Sequence, residues 1–122
     1  MAAEQPVMFE SQSVAGSELP PVPPNLPADA CTILLFYQYK EPLWTKKEHK
    51  AVLNGLMAVA NKHGVTGRGR IAPEGANCTL TGTAEGVRAF CRGMREFNPL
   101  FNETDFKLTD NLPVSERRRR RR

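Results

Sequence analysis

The side chains of this 122-residue chain that most readily act as nucleophiles, proton relays or soft metal ligands are Cys31, Cys78, Cys91, His49 and His63. Any such chemistry needs them close together. There is no CxxC pair, and the two histidines stand 14 residues apart in a stretch of helical periodicity. A rise of 1.5 Å per residue separates them by about 21 Å, too far to share a metal. A reactive thiolate needs a helix amino terminus or cationic neighbours. Cys78 instead falls in a strand pattern and Cys91 on an apolar helical stripe, so both are expected to be buried and inert. Cys31 opens a strand and is expected near the surface, with nothing beside it to activate it. No catalytic residue, metal site or cofactor is expected.

A second kind of chemistry is electrostatic. Arg68 and Arg70 alternate along one face of a predicted strand, a spacing suited to successive phosphates. Lys46 and Lys47 are expected near the same edge. Arg117, Arg118, Arg119, Arg120, Arg121 and Arg122 form a like-charged run, expected to stay unfolded and to serve as a polyanion anchor or nuclear signal. That run accounts for most of the basic character. The formal net charge is +4 from 17 basic and 13 acidic side chains; without the six arginines the balance is 11 against 13, or −2. Gly67 and Gly69 resemble a phosphate loop only superficially, since no Lys-Ser/Thr follows and no helix begins there.

The elements that must position these residues follow from periodicity. Residues 1–29 hold five prolines between positions 20 and 27, four acids and no base, and read as a disordered leader. The amino terminus has no basic start or long apolar stretch, and the longest apolar run, 33–37, is far short of the roughly 20 residues of a membrane helix. With an odd number of cysteines, this predicts reduced thiols in cytosol or nucleus and no membrane association. It also makes the acceptor patterns at Asn77 and Asn102 chance matches.

Residues 31–39 are apolar on both alternating faces, Ile33, Leu35, Tyr37 and Tyr39 on one and Leu34 and Phe36 on the other, as in a central strand. Thr45 and Glu48 have capping-box spacing ahead of an apolar stripe through Val52, Leu53, Leu56, Met57, Val59, Ala60 and His63, predicting a helix over 46–63 that Gly64 ends. Strands are predicted over 65–72 and 77–82 around a turn at 73–76. Glu74 and Asn77 flank that turn, where such residues are favoured on conformational grounds alone. Thr83 caps a second helix with Val87, Phe90, Cys91, Met94 and Phe97 at helical steps; Asn98-Pro99 ends it, and Phe106 and Leu108 mark a short fourth strand. The order βαββαβ is the ferredoxin-like α+β arrangement. It implies a four-stranded antiparallel sheet ordered 4-1-3-2, with two helices on one face. The domain is expected over 30–112, followed by a disordered tail over 113–122. Although RNA-recognition motifs share this topology, they stack bases on aromatics of the third strand. The third strand here has none.

The stretch from Gly67 to Gly82 resembles the G-x-x-R-I-A-x-E-G-I-N-G-T-x-x-G signature of the amino-terminal domain of rhodanese-like tRNA uridine hydroxylases and their eukaryotic rhodanese-domain relatives. The likeness runs from about 31 to 110, through Leu34-Leu35-Phe36-Tyr37 and Phe97-Asn98-Pro99-Leu100-Phe101. It picks out Glu74, Gly75, Asn77 and Thr79 as motif residues. Ala76 stands where the family usually has Ile, and Cys78 where it usually has Gly. In that family the chemistry belongs to a cysteine loop of a following rhodanese domain, and no C-x-x-x-x-R loop occurs in this chain. Lys40-Glu41-Pro42-Leu43 lacks the arginine and glycines of an acylphosphatase loop, so that activity is not expected. The resemblance implies an accessory domain without its catalytic partner. Its expected role is to bind tRNA or other structured RNA, or else to dock on a rhodanese-type protein or on itself through the open sheet face.

Overall fold

A computed structural model of the protein describes residues 18–112. The elements run β1 (Cys31–Tyr39), α1 (Lys46–Lys62), β2 (Thr66–Ala72), β3 (Gly75–Gly82), α2 (Ala84–Phe97), a 3-10 helix (Pro99–Glu103) and β4 (Lys107–Leu112). The sheet order is β2-β3-β1-β4, every neighbouring pair antiparallel, which is the expected 4-1-3-2 ferredoxin-like α+β arrangement.

Local chemistry places the boundaries. Glu48 N–H donates to the Thr45 hydroxyl at 3.1 Å while the Glu48 carboxylate accepts from Thr45 N–H at 2.9 Å, a closed capping box at the start of α1. Gly64, at φ +69, takes the left-handed conformation that lets the chain leave the helix. Gly75 sits at φ +143, and a Cβ there would stand 2.0 Å from the Gln38 carbonyl oxygen. Only glycine lets the β2–β3 turn press against the end of β1. Two backbone bonds fix that contact: Lys40 N–H donates to the Glu74 carbonyl at 2.8 Å and Trp44 N–H to that of Pro73 at 2.9 Å.

Both helices pack on the face of the sheet that carries Leu34, Phe36, Cys78 and Leu80. Phe36 lies at the centre, with ring centroids 6.3 Å from Phe90, 6.3 Å from Phe101 and 5.1 Å from Phe106, the last two edge-on. Gly55 lets the Phe97 ring lie against the backbone of α1, and Gly93 accepts Val59, so small residues set the helix–helix approach.

The opposite end is clamped by Arg88 of α2, only 3% exposed. Its guanidinium donates to both Asp110 carboxylate oxygens at 3.0 Å, to the Ala84 carbonyl at 3.0 Å, and to the carbonyls of Pro20 and Pro21 at 2.7 and 3.2 Å. Thr32 donates its hydroxyl to the same carboxylate at 2.7 Å. Burial pushes the Asp110 carboxyl up, but hydrogen bonds from Arg88 and Thr32 and the Arg88 charge outweigh it and hold the group below its ordinary value.

Several expectations are corrected. The leader expected to be disordered over 1–29 is in part docked: Leu19 packs on the core and Arg88 grips two proline carbonyls, acceptors that a proline stretch cannot satisfy within itself. Residues 1–17 and 113–122 lie outside the described residues. Cys31 is buried, not near the surface. The fourth strand extends to Leu112, and the chain after α2 forms a 3-10 helix whose Phe101 enters the core.

Arg88→Ala is expected to cost about 3 kcal/mol, because it strands the Asp110 carboxylate, read as a lower urea midpoint. The depressed Asp110 pKa adds stability above the unfolded value of about 4, lost as pH falls through the lower folded value. Asp110→Asn should therefore flatten the acid limb of stability against pH.

Candidate functional site

Strand alternation sorts the chemistry-bearing residues into two layers. Across the face away from the helices, register aligns Arg68, Thr79, Leu35 and Lys107 in one row and Arg70, Asn77 and Tyr37 in the next. A third row holds Ala72, Gly75 and Tyr39. Strands about 4.8 Å apart put each row within reach of one extended ligand.

This face is apolar and aromatic in the middle and cationic on both sides. Leu35, Tyr37 and Tyr39 are 44%, 60% and 73% exposed. The two tyrosine rings lie 5.5 Å apart at 60° to one another. Arg68 and Arg70 are exposed on the β2 side. On the β4 side Lys107 Nζ donates to Asp105 Oδ2 at 2.8 Å, and that bond and the carboxylate charge raise the Lys107 pKa. A cleft of about 390 Å³ runs over β1 between Asn77 and the Glu103, Asp105 and Lys107 side. Asp105 Oδ1 is buried there without a hydrogen-bond partner among the described residues.

The structure divides the motif that the sequence singled out. Glu74 and Gly75 build the turn and its backbone contacts with the segment after β1. Asn77 and Thr79 belong to the open face, beside Arg70 and Arg68. Lys46 and Lys47 do not join them. Both are exposed in the first turn of α1, in the helical layer. Arg117 to Arg122 lie outside the described residues. Sequence reasoning missed Tyr37 and Tyr39 as site residues. Their signal was present as period-2 alternation with Leu35, but the same pattern also describes a strand covered on both sides.

The remaining candidates take structural roles. The His49 ring nitrogen Nε2 makes a short hydrogen-bonding contact with the Ile71 carbonyl, tying α1 to β2. His63 caps the carboxyl end of α1, its backbone N–H donating to the Ala60 carbonyl at 3.2 Å. All three cysteines are buried. Burial pushes the Cys78 thiol up to about 11, and pushes Cys91 up to about 12 against the opposing charges of Arg95, Arg88 and Arg92. Among the described residues no group of three or more His, Cys, Asp or Glu is placed to hold a metal ion, and no helix is long and apolar enough to cross a membrane.

Residues 31–118 match the family profile described as the UPF0176 acylphosphatase-like domain. A protein of Rhodococcus erythropolis described as a tRNA uridine(34) hydroxylase is 35% identical over 80 residues, 66% of this chain and 26% of that one. A Kocuria rhizophila protein with the same description is 35% identical over 78 residues, 64% of this chain and 25% of its own length. The chain thus spans about a quarter of the length of these curated relatives. A crystal structure from Deinococcus radiodurans, described as a candidate transposase, aligns with a TM-score of 0.40 at 14% identity over 83% of this chain and 90% of that one.

The buried thiols lead to a direct expectation. Burial and the raised Cys78 and Cys91 pKa values disfavour the thiolate, so the folded protein should react with a thiol-specific disulfide reagent far more slowly than the unfolded chain. Rapid native labelling of Cys78 or Cys91 would contradict the packing described.

Proposed function

The chain belongs to the UPF0176 acylphosphatase-like domain family, and from that premise we propose that it is a non-catalytic accessory domain that holds tRNA or another structured RNA on the open face of its sheet. The observation that carries this reading is the composition of that face: two exposed tyrosines on β1 flanked by Arg68 and Arg70. Aromatic rings offer stacking surfaces to unpaired bases, worth about 1–3 kcal/mol each, while guanidinium groups meet phosphates. Asn77 stands between the two sets and supplies an amide that both donates and accepts. The two curated relatives carry a tRNA-directed description, which supports RNA as the ligand class. The non-catalytic part of the reading is supported by the burial and raised pKa values of Cys78 and Cys91, which disfavour a nucleophilic thiolate. The Arg117–Arg122 run adds cationic reach without sequence preference.

The test is fluorescence anisotropy with labelled tRNA at two salt concentrations. Arg68→Glu with Arg70→Glu should weaken binding at least about tenfold and reduce the slope of log affinity against log salt by roughly 0.7–0.9 per lost contact. Tyr37→Ala with Tyr39→Ala should weaken binding while leaving the salt slope unchanged, because stacking releases no counterions. Both pairs are surface substitutions, and circular dichroism should show an unchanged fold. Absence of binding by the full chain at low salt, or equal binding by all variants, overturns the reading.

The exposure of Leu35 beside the tyrosines favours one second reading, a protein interface for a rhodanese-type partner or a second copy. A dimer by light scattering that Tyr37→Glu dissociates, together with no affinity for tRNA, would replace the RNA reading with this one.

A further inference from the structure

The outer edge of β2 and the groove beside it play no part in the RNA reading. Among the described residues β2 is an edge strand, paired with β3 alone. Its hairpin closes over the two-residue turn Pro73-Glu74, with Ala72 opposite Gly75. Such a closing pair exchanges backbone hydrogen bonds, so bonded pairs recur at Arg70–Asn77 and Arg68–Thr79. By the same alternation Gly67, Gly69 and Ile71 turn their N–H and C=O groups away from β3. The His49 contact with the Ile71 carbonyl agrees with this phase, since that oxygen must face outward to be reached. It also blunts one end of the edge. Gly67 and Gly69 are left with outward amides and carbonyls that no other described residue engages.

On the helical side the same glycines leave space. A groove of about 270 Å³ runs between β2 and α1, lined by Leu53, Met57, Gly67, Gly69, Ile71 and Leu80. Leu53 and Met57 are 39% and 53% exposed, although both lie on the apolar stripe of α1. The rim is basic. Arg68 and Arg70 stand on the opposite face of β2, and the exposed Lys46 and Lys50 precede Leu53 and Met57 along one stripe of α1, at steps of four, three and four residues.

These features select the occupant. A second copy pairing edge to edge about Gly69 would set Arg68 and Arg70 of the two chains side by side, a like-charge arrangement that destabilises a ladder. We propose that the β2 edge receives an extended acidic segment of a partner protein as a fifth strand. The residue opposite Gly69 places an apolar side chain in the groove between Leu53 and Met57. Its two sequence neighbours, on the other face, are acidic and lie beside Arg68 and Arg70. Backbone bonds to Gly67 and Gly69 supply affinity, while the acidic–apolar–acidic alternation supplies selectivity.

The inference shares Arg68 and Arg70 with the RNA reading, but its edge amides and groove are separate, and these are what the test reads. The full chain, labelled with nitrogen-15, is titrated with a short capped peptide alternating glutamate and leucine, and with the same peptide carrying lysine for glutamate. Saturable shifts are expected at the Gly67 and Gly69 amides and along Leu53 and Met57, and only with the acidic peptide. Leu53→Gln with Met57→Gln, which changes no charge, should weaken the peptide at least about tenfold. The same pair should leave tRNA affinity unaltered. Arg68→Glu with Arg70→Glu should abolish peptide selectivity. Shifts confined to Tyr37 and Asn77, equal shifts with the lysine peptide, insensitivity to the groove substitutions, or no shift at millimolar peptide each overturn the proposal. So does a concentration-dependent dimer whose interface maps to Gly67 and Gly69.

Discussion

Burial of the inner face of β1 is the constraint on which the rest of the structure depends. Phe36 meets Phe90 from α2, Phe101 from the 3-10 helix and Phe106 from the approach to β4, so one side chain joins three segments distant in sequence. A buried phenylalanine is worth several kcal/mol through its area and contacts. It can bring these segments together only where both helices lie on its side of the sheet. Right-handed crossovers place them there. Two helices then cover one face of four strands, and on the other face Leu35, Tyr37 and Tyr39 are exposed.

Every surface feature of interest follows from that one-sidedness. Because Leu34 and Phe36 face the helices, Leu35, Tyr37 and Tyr39 must face outward, and register brings Arg68, Arg70, Asn77 and Lys107 into the same layer. Cys78, one residue from Asn77 and from Thr79, is turned into the core, and its thiol is pushed up accordingly. The 67–82 motif thus serves two ends. Its turn residues, Glu74 and Gly75, lock the hairpin against the end of β1, and its alternate strand residues face solvent. The Arg88–Asp110 clamp secures the far end and ties residues 20 and 21 to the domain.

Much of this was legible in sequence because it rests on local rules. The capping box at Thr45, the left-handed Gly64, the helical stripes and the βαββαβ order each have a short-range cause. The departures have long-range causes. Cys31 is buried and the strand ending at Leu112 is longer than Phe106 and Leu108 alone imply. The buried role of Arg88 depends on Asp110 and on two proline carbonyls about 67 residues away, partners that no local pattern announces. Lys46 and Lys47 looked close to the strand arginines, yet the fold puts them in the other layer.

The sequence by itself determined which residues share a face, since period-2 and period-3.6 alternation are properties of the backbone. It also determined the order of strands and α-helices and where the two α-helices begin. Only the tertiary structure decided which of the two apolar faces of β1 would be covered. Of the larger and more aromatic set, Leu35, Tyr37 and Tyr39 are exposed while Ile33, at the other end of the strand, is buried. Alternation distinguishes the faces without ranking them; the handedness of the crossovers and the reach of Phe36, Phe90, Phe101 and Phe106 do the ranking. The edge groove beside Gly67 and Gly69 was likewise invisible until α1 came to lie against β2, because a groove has no residue of its own to announce it.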